Sequence, residues 1–178
     1  MKKVAYNEYL KEMTEVLPKG AFLTVKGDGE LNTMTIGWGT VGYVWGKPVF
    51  TVLVRDSRYT YELMEKTDEF TVSIPLNGGL KEELAFCGKE SGRDYDKITE
   101  CNLTTIPGQR VDTPVIKGCE LHYECKIRFK QRMDQDLDKF DGEYDDKWYP
   151  TDDYHTIYHG EIVDCYIDEE MVDSNLKV

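Results

Sequence analysis

"GWGTVGYVWGKPVF", residues 37–50, decides between two architectures. Gly37, Gly39 and Gly42 match the pattern G-x-G-x-x-G letter for letter. In a dinucleotide-binding unit that turn opens a helix whose N-terminus receives a pyrophosphate. Here Tyr43, Val44 and Trp45 follow and favour strand, and Gly46 and Pro48 stop a helix within one turn. The glycines are therefore read as bends or bulges of a curled sheet, not as a phosphate turn.

The flanking segments extend the β pattern. "AFLTVKG" reads as a strand, "KGDGELNT" as a glycine-rich turn, and "TMTIGWGTVGYVW" as a strand with glycine interruptions. "KPVFTVLVR" is a nearly continuous apolar run, the pattern of a strand buried on both faces. "EFTVSIP", "ELHYECKIRFKQRM" and "HTIYHGEIVDCYID" complete six strands. In the second of these, Leu121, Tyr123, Cys125, Ile127 and Phe129 alternate onto one face. "NEYLKEMTEV", "RYTYELMEKT", "GLKEELAFCGK" and "DYDKITEC" read as short helices. Strands follow strands through turns more often than through helices. The pattern predicts a single domain over residues 1–178, mainly β with short helices, an antiparallel barrel rather than a doubly wound sheet.

Composition narrows the function classes. The 178 residues carry a formal net charge of −12, which argues against wrapping nucleic acid or lying on an anionic membrane. No signal peptide is recognisable, and "PVFTVLV" is far too short to span a bilayer. Five cysteines without a CxxC pair are expected as reduced, mostly buried thiols of a cytoplasmic protein. Cys87 alone has a Gly and Lys neighbourhood that could make a thiol reactive.

Against the acidic background, "VRDSRYTYE" gathers Arg55, Ser57, Arg58 and Thr60 where a strand meets a helix. Guanidinium forks, hydroxyls and unpaired helical N–H groups are what a phosphate requires. The other reading makes Ser57 an N-cap and pairs the arginines with surface acids. "CGKESGRDYDK" repeats the theme with Lys89, Ser91, Gly92 and Arg93, or is an ordinary interhelical turn. "LNTMTIGWG" is uncharged across Asn32, Thr33, Met34 and Thr35, with Trp38 nearby. A flat heteroaromatic ring could lie along it, or these are core and turn residues.

No metal site is expected. His155 and His159 lack a third close ligand, and His122 with Cys125 reads as barrel wall. The acidic stretch 134–153 alternates at Asp134, Asp136 and Asp138. A calcium loop, however, needs Gly and Glu where Lys139 and Asp145 stand, so a solvated loop is expected.

Three segments in order, from "NTMTIGWG" through "VRDSRYTYELMEK", then "FCGKESGRDYDK", then "HTIYHGEIVDCY", resemble the flavin reductase-like proteins of the FMN-binding split-barrel fold, nearest the flavoredoxin and ferric-reductase-like branch. The resemblance covers about three quarters of the chain. It implies a six-stranded Greek-key split barrel and a homodimer with FMN near the subunit interface. It implies that Asn32 to Thr35 meet the flavin ring through backbone, with Trp38 beside it. Arg55, Ser57, Arg58 and Thr60 would hold the phosphate and ribityl chain, joined by Lys89, Ser91 and Arg93. Many members have Gly-Asp-His before the last strand, near flavin and nicotinamide. Here Asp153, Tyr154 and His155 keep the histidine, the implied catalytic residue, and lack the glycine. The implied activity is an FMN-binding oxidoreductase, an NAD(P)H-dependent flavin or ferric reductase. The alternative is a flavoredoxin-like electron carrier without NAD(P)H turnover of its own.

Overall fold

The computed structural model describes residues 1–133 and 147–172. β1 (Lys2–Lys3), α1 (Leu10–Val16) and a 3-10 turn (Leu17–Lys19) precede β2 (Ala21–Gly27), β3 (Glu30–Ile36), β4 (Gly39–Val44) and β5 (Lys47–Arg55). Then come α2 (Tyr59–Met64), β6 (Glu69–Ile74), α3 (Lys81–Lys89) and α4 (Lys97–Glu100). Two short strands, β7 (Thr105–Ile106) and β8 (Val115–Ile116), pair with each other before the long β9 (Leu121–Arg132) and β10 (His155–Ile167).

Two hairpins follow directly from turn chemistry. Asp28 and Gly29 have φ of 51° and 83°, and Trp45 and Gly46 have φ of 54° and 72°. Two consecutive left-handed residues make the type I′ turn, whose twist matches that of the strands. They set Gly27 opposite Glu30 and Val44 opposite Lys47.

The main sheet is antiparallel in the order β3-β2-β6-β9-β10-β5-β4, with β1 added beside β10. Its two end strands, β3 and β4, are consecutive in the chain and linked only by Gly37 and Trp38. Three peptide steps reach about 11 Å. The sheet must therefore curl until its edges nearly meet, a barrel left open at one seam. This corrects the single strand expected across "TMTIGWGTVGYVW". The chain leaves one edge and rejoins at the other, so the path has seven strands. Gly39 lets the strands approach at that crossing, because a Cβ there would crowd the Thr51 carbonyl oxygen at 3.0 Å.

The barrel interior is filled by Leu23, Val25, Phe50, Val52, Val54, Phe70, Val72, Tyr123 and Tyr158. Each such side chain contributes about 1.5–3 kcal/mol by burial. A smaller cluster of Phe22, Leu84, Cys87, Ile116 and Cys119 seats α3 on the outer face. β5 departs from the two-faced burial expected of it: Val52 and Val54 are buried, while Thr51, Leu53 and Arg55 are half-exposed. β9 departs in the opposite sense, since Leu121 through Cys125 are all buried. Its polar face is covered by the 107–120 segment. Glu124 accepts backbone N–H groups of Gln109 (2.7 Å), Arg110 (2.6 Å) and Val111 (3.2 Å), and Glu69 accepts that of Thr113 (2.8 Å). Alternating polar residues thus mark a second packed layer rather than solvent. No helix among the described residues is long and apolar enough to cross a membrane.

Candidate functional site

The antiparallel register of β5 and β10 places His155 opposite Arg55 at the strand ends. At this mouth the turn after β5 meets the end of β3 and the link to β4. A cavity of about 180 Å³ is bounded by Met34, Thr35, Ile36, Gly37, Trp38, Leu53, Arg55, Arg58 and His155. Because β3 ends the sheet, it pairs only with β2, and backbone groups on its other side are free of sheet hydrogen bonds. That is the environment a ring with several polar edges needs. Met34 and Arg58 also line a second cavity of about 100 Å³, which continues past Asn32, Thr60, Gly88, Ser91 and Lys97.

The basic residues expected to form one cluster have separate partners. Arg55 donates to the carbonyls of Asp153 (2.6 Å) and Trp148 (2.9 Å) and lies over the Tyr149 ring. Ser57 gives its N–H (3.1 Å) and hydroxyl (2.7 Å) to the Asp153 carboxylate. The N-cap position of α2 is Arg58, not Ser57. Arg93 donates to Glu62 and to the Ser57 carbonyl (3.0 Å). Lys89 is brought nowhere near: its side chain is 84% exposed, pairs with Glu90, and lines neither cavity. Thr33 faces the outer side of the sheet beside Thr24 and does not line them either. Thr35 lines the first cavity and donates to the Leu84 carbonyl (2.6 Å), tying β3 to α3.

Two cations remain. The Arg58 guanidinium has no hydrogen-bond or ion-pair partner among the described residues, and it lines both cavities. Lys97 is 5% exposed and has no carboxylate partner among them; its ammonium donates only to the Cys87 carbonyl (2.8 Å) near the end of α3. Burial lowers the Lys97 pKa, and the Arg58 charge adds to that. Two mutually repelling cations on one cavity wall, with no carboxylate partner among the described residues, present positive charge that an anion would neutralise. Asn32 donates to Thr60 (2.8 Å) on the same wall, so the Thr60 hydroxyl hydrogen is free to point outward. Lys97 is not among the residues that the sequence singles out. Its position inside "DYDKITEC" looks like a solvated helix face, and only the packing of α4 shows that it is buried.

The loop 147–154 supplies the rest. Trp38 packs against Trp148 (ring centroids 5.0 Å) and against His155 (5.0 Å). The Tyr149 hydroxyl lies 2.8 Å from His155 Nδ1. Burial first, then the Arg55 charge, holds His155 at a pKa of about 4, so the ring is neutral at pH 7. The phenol also reaches Met133 Sδ (3.8 Å), so the tautomer of the neutral ring decides whether Nε2 faces the cavity as a donor or as an acceptor. The acidic composition of 134–153 hides Trp148 and Tyr149, although "KWYP" holds its one adjacent aromatic pair, ahead of a proline. Asp134, Asp136 and Asp138 lie outside the described residues, and no cluster of metal-ligating groups occurs among the described ones. Cys87 is not a reactive thiol: burial pushes its pKa up to about 12.

With this geometry in place, the chain is defined as a member of the flavin reductase like domain family, whose model matches residues 17–176. An uncharacterized protein of Archaeoglobus fulgidus is 29% identical over 121 residues, 68% of this chain and 67% of that one. The fold is similar to that of flavoredoxin from Methanosarcina acetivorans (TM-score 0.68, 23% identity, 86% of this chain and 70% of that one). It is similar also to an FMN-binding protein from Thermus thermophilus (TM-score 0.67, 22% identity, 89% and 75%).

Proposed function

We propose that this chain binds FMN and acts as an oxidoreductase that takes electrons from NAD(P)H and reduces free flavin or ferric iron. The carrying observation is the pair Arg58 and Lys97, both without an acidic partner among the described residues, on the wall of a cavity that opens onto the edge of β3. The residues fit the group. Arg58, Lys97 and the Thr60 hydroxyl would hold the phosphate, and the backbone from Met34 to Trp38 would meet the ring. Trp38 and the neutral His155 close one side of that space. When bound, FMN supplies hydride acceptance and one-electron transfer; the protein supplies position and polarity. The residues around it exclude water and include one uncharged imidazole, His155. None of them is required as an acid or base.

A flavoredoxin-like carrier is the second reading, favoured by the similarity to flavoredoxin and by Asp153 standing where many members have the glycine of Gly-Asp-His. A homodimer is part of the proposal. Tyr43 (65% exposed) and Trp45 (62% exposed) leave an aromatic surface on the β4 edge that a second copy would cover. Five free thiols support a reducing cytoplasm.

The test begins with the colour of the purified protein and chromatography of the released ligand. Steady-state NAD(P)H oxidation by the FMN-loaded protein then separates enzyme from carrier. A colourless protein that leaves FMN fluorescence unquenched on titration refutes the reading.

A further inference from the structure

The second cavity ends on a wall made by Asn32, Tyr59, Gly92 and Arg93, which also forms one side of an outer cleft. The wall is braced from several directions. The Tyr59 hydroxyl donates to Glu30, and the Arg93 guanidinium lies over the Tyr59 ring while bound to Glu62 and the Ser57 carbonyl. Gly92 is pressed into the wall so closely that a Cβ would sit 2.3 Å from Asn32 Oδ1. Beyond it, the outer cleft carries Glu30, Asp94 and Asp96. Asp96 accepts from the N–H groups of Ile98 (3.1 Å) and Thr99 (3.3 Å) and from the Thr99 hydroxyl (2.7 Å), bonds that hold it ionised. Among the described residues the cleft has one cation, Arg93, and it already belongs to Glu62.

Resting on the FMN reading above, we infer that this carboxylate-lined cleft beyond the phosphate end makes the site selective for a flavin mononucleotide over a flavin adenine dinucleotide. The cations Arg58 and Lys97 serve one phosphate. A dinucleotide continues from that phosphate into a second one and an adenosine. Whether the wall holds or its side chains swing aside, the second phosphate meets Glu30, Asp94 and Asp96, with Arg93 neutralised. Like charges disfavour that placement, and no unpaired cation in the cleft offsets it.

The test is fluorescence-quenching titration of the flavin-free full-length protein with riboflavin, FMN and FAD, repeated with the double variant Glu30→Gln, Asp94→Asn. The side-chain amide introduced by Glu30→Gln still offers Tyr59 an acceptor oxygen, so the wall is retained. Expected for the wild type is tightest binding of FMN, with FAD weaker by about tenfold or more. In the double variant FAD should recover roughly threefold to tenfold while FMN is unchanged. Equal affinity of FMN and FAD in the wild type overturns the inference, as does an FAD-to-FMN ratio that the double variant leaves unmoved. Failure of FMN and riboflavin alike to bind overturns the functional reading itself, and the selectivity with it.

Discussion

Replacing Lys97 by methionine should move stability and affinity in opposite directions. In the flavin-free protein the Lys97 ammonium is buried with one carbonyl partner and the Arg58 charge nearby. Holding an ammonium out of water costs several kcal/mol. Its bond to the Cys87 carbonyl, a hydrogen bond to a charged group near the C-terminus of α3, returns about 1.5–3 kcal/mol, with up to about 1 kcal/mol more from the helix dipole. Methionine, of similar length, abolishes the desolvation cost but forfeits the bond that the Cys87 carbonyl accepts. The net expectation is a gain of about 1–2 kcal/mol, a rise in Tm of roughly 2–8 °C for a chain of this size. FMN binding should weaken by about tenfold to a hundredfold, since a hydrogen bond to a charged group contributes about 1.5–3 kcal/mol. Riboflavin, which has no phosphate, should bind both proteins alike. The assays are thermal melts of the flavin-free protein and parallel titrations with FMN and riboflavin. A Lys97→Met protein that melts lower than wild type and binds FMN equally well would show that Lys97 is only a helix cap and holds no anion.

Arg58→Ala should weaken FMN by about tenfold to a hundredfold while barely changing Tm, because the guanidinium has no partner among the described residues to lose; unchanged affinity refutes the assignment. Gly92→Ala should weaken FMN and lower the melting temperature together, since its Cβ would meet Asn32 Oδ1 at 2.3 Å and Tyr59 Cδ1 at 2.7 Å; a silent substitution means that the wall is pliable. His122 is fully buried, bonded through Nδ1 to Ser73 (3.0 Å), with its other ring nitrogen unpartnered, and burial holds its pKa at about 4. The unfolded ring takes up a proton below about pH 6.5 and the folded one does not. Stability should therefore fall as pH drops from about 6.5 to 4, by about 3 kcal/mol from this residue, with His155 adding to the loss. Urea midpoints at pH 7 and pH 5 capture about 2 kcal/mol of that fall, and an equal fall in His122→Gln would assign it elsewhere.

Much of the fold is legible because local signals agree with one another. Asp28-Gly29 closes a hairpin by turn chemistry alone, and "YVWGKP" excludes a helix after the glycines whatever the tertiary context. What local pattern does not supply is the identity of neighbours. Leu121 to Cys125 alternate like a half-exposed strand, yet Glu124 is covered because the backbone of residues 109–111 folds onto its carboxylate. The same limit governs the site. Arg55, Ser57, Arg58 and Arg93 form a cluster by residue type, but residue type does not say which cation is already paired. Asp153 occupies Ser57 and approaches Arg55, and Glu62 occupies Arg93; both acids are remote in sequence from at least one partner. Lys89 and Lys97 are nearly indistinguishable as letters, each a lysine beside acidic residues. The difference arises where Lys97 at the start of α4 meets α3: one ammonium reaches solvent and the other is shut against the Cys87 carbonyl. Exposed lysines such as Lys26 and Lys81 also lack a carboxylate partner among the described residues, but water serves them. A binding site for an anion is therefore marked by cations that line a cavity and that the fold keeps away from acids, a property that emerges only when burial and partners are both known.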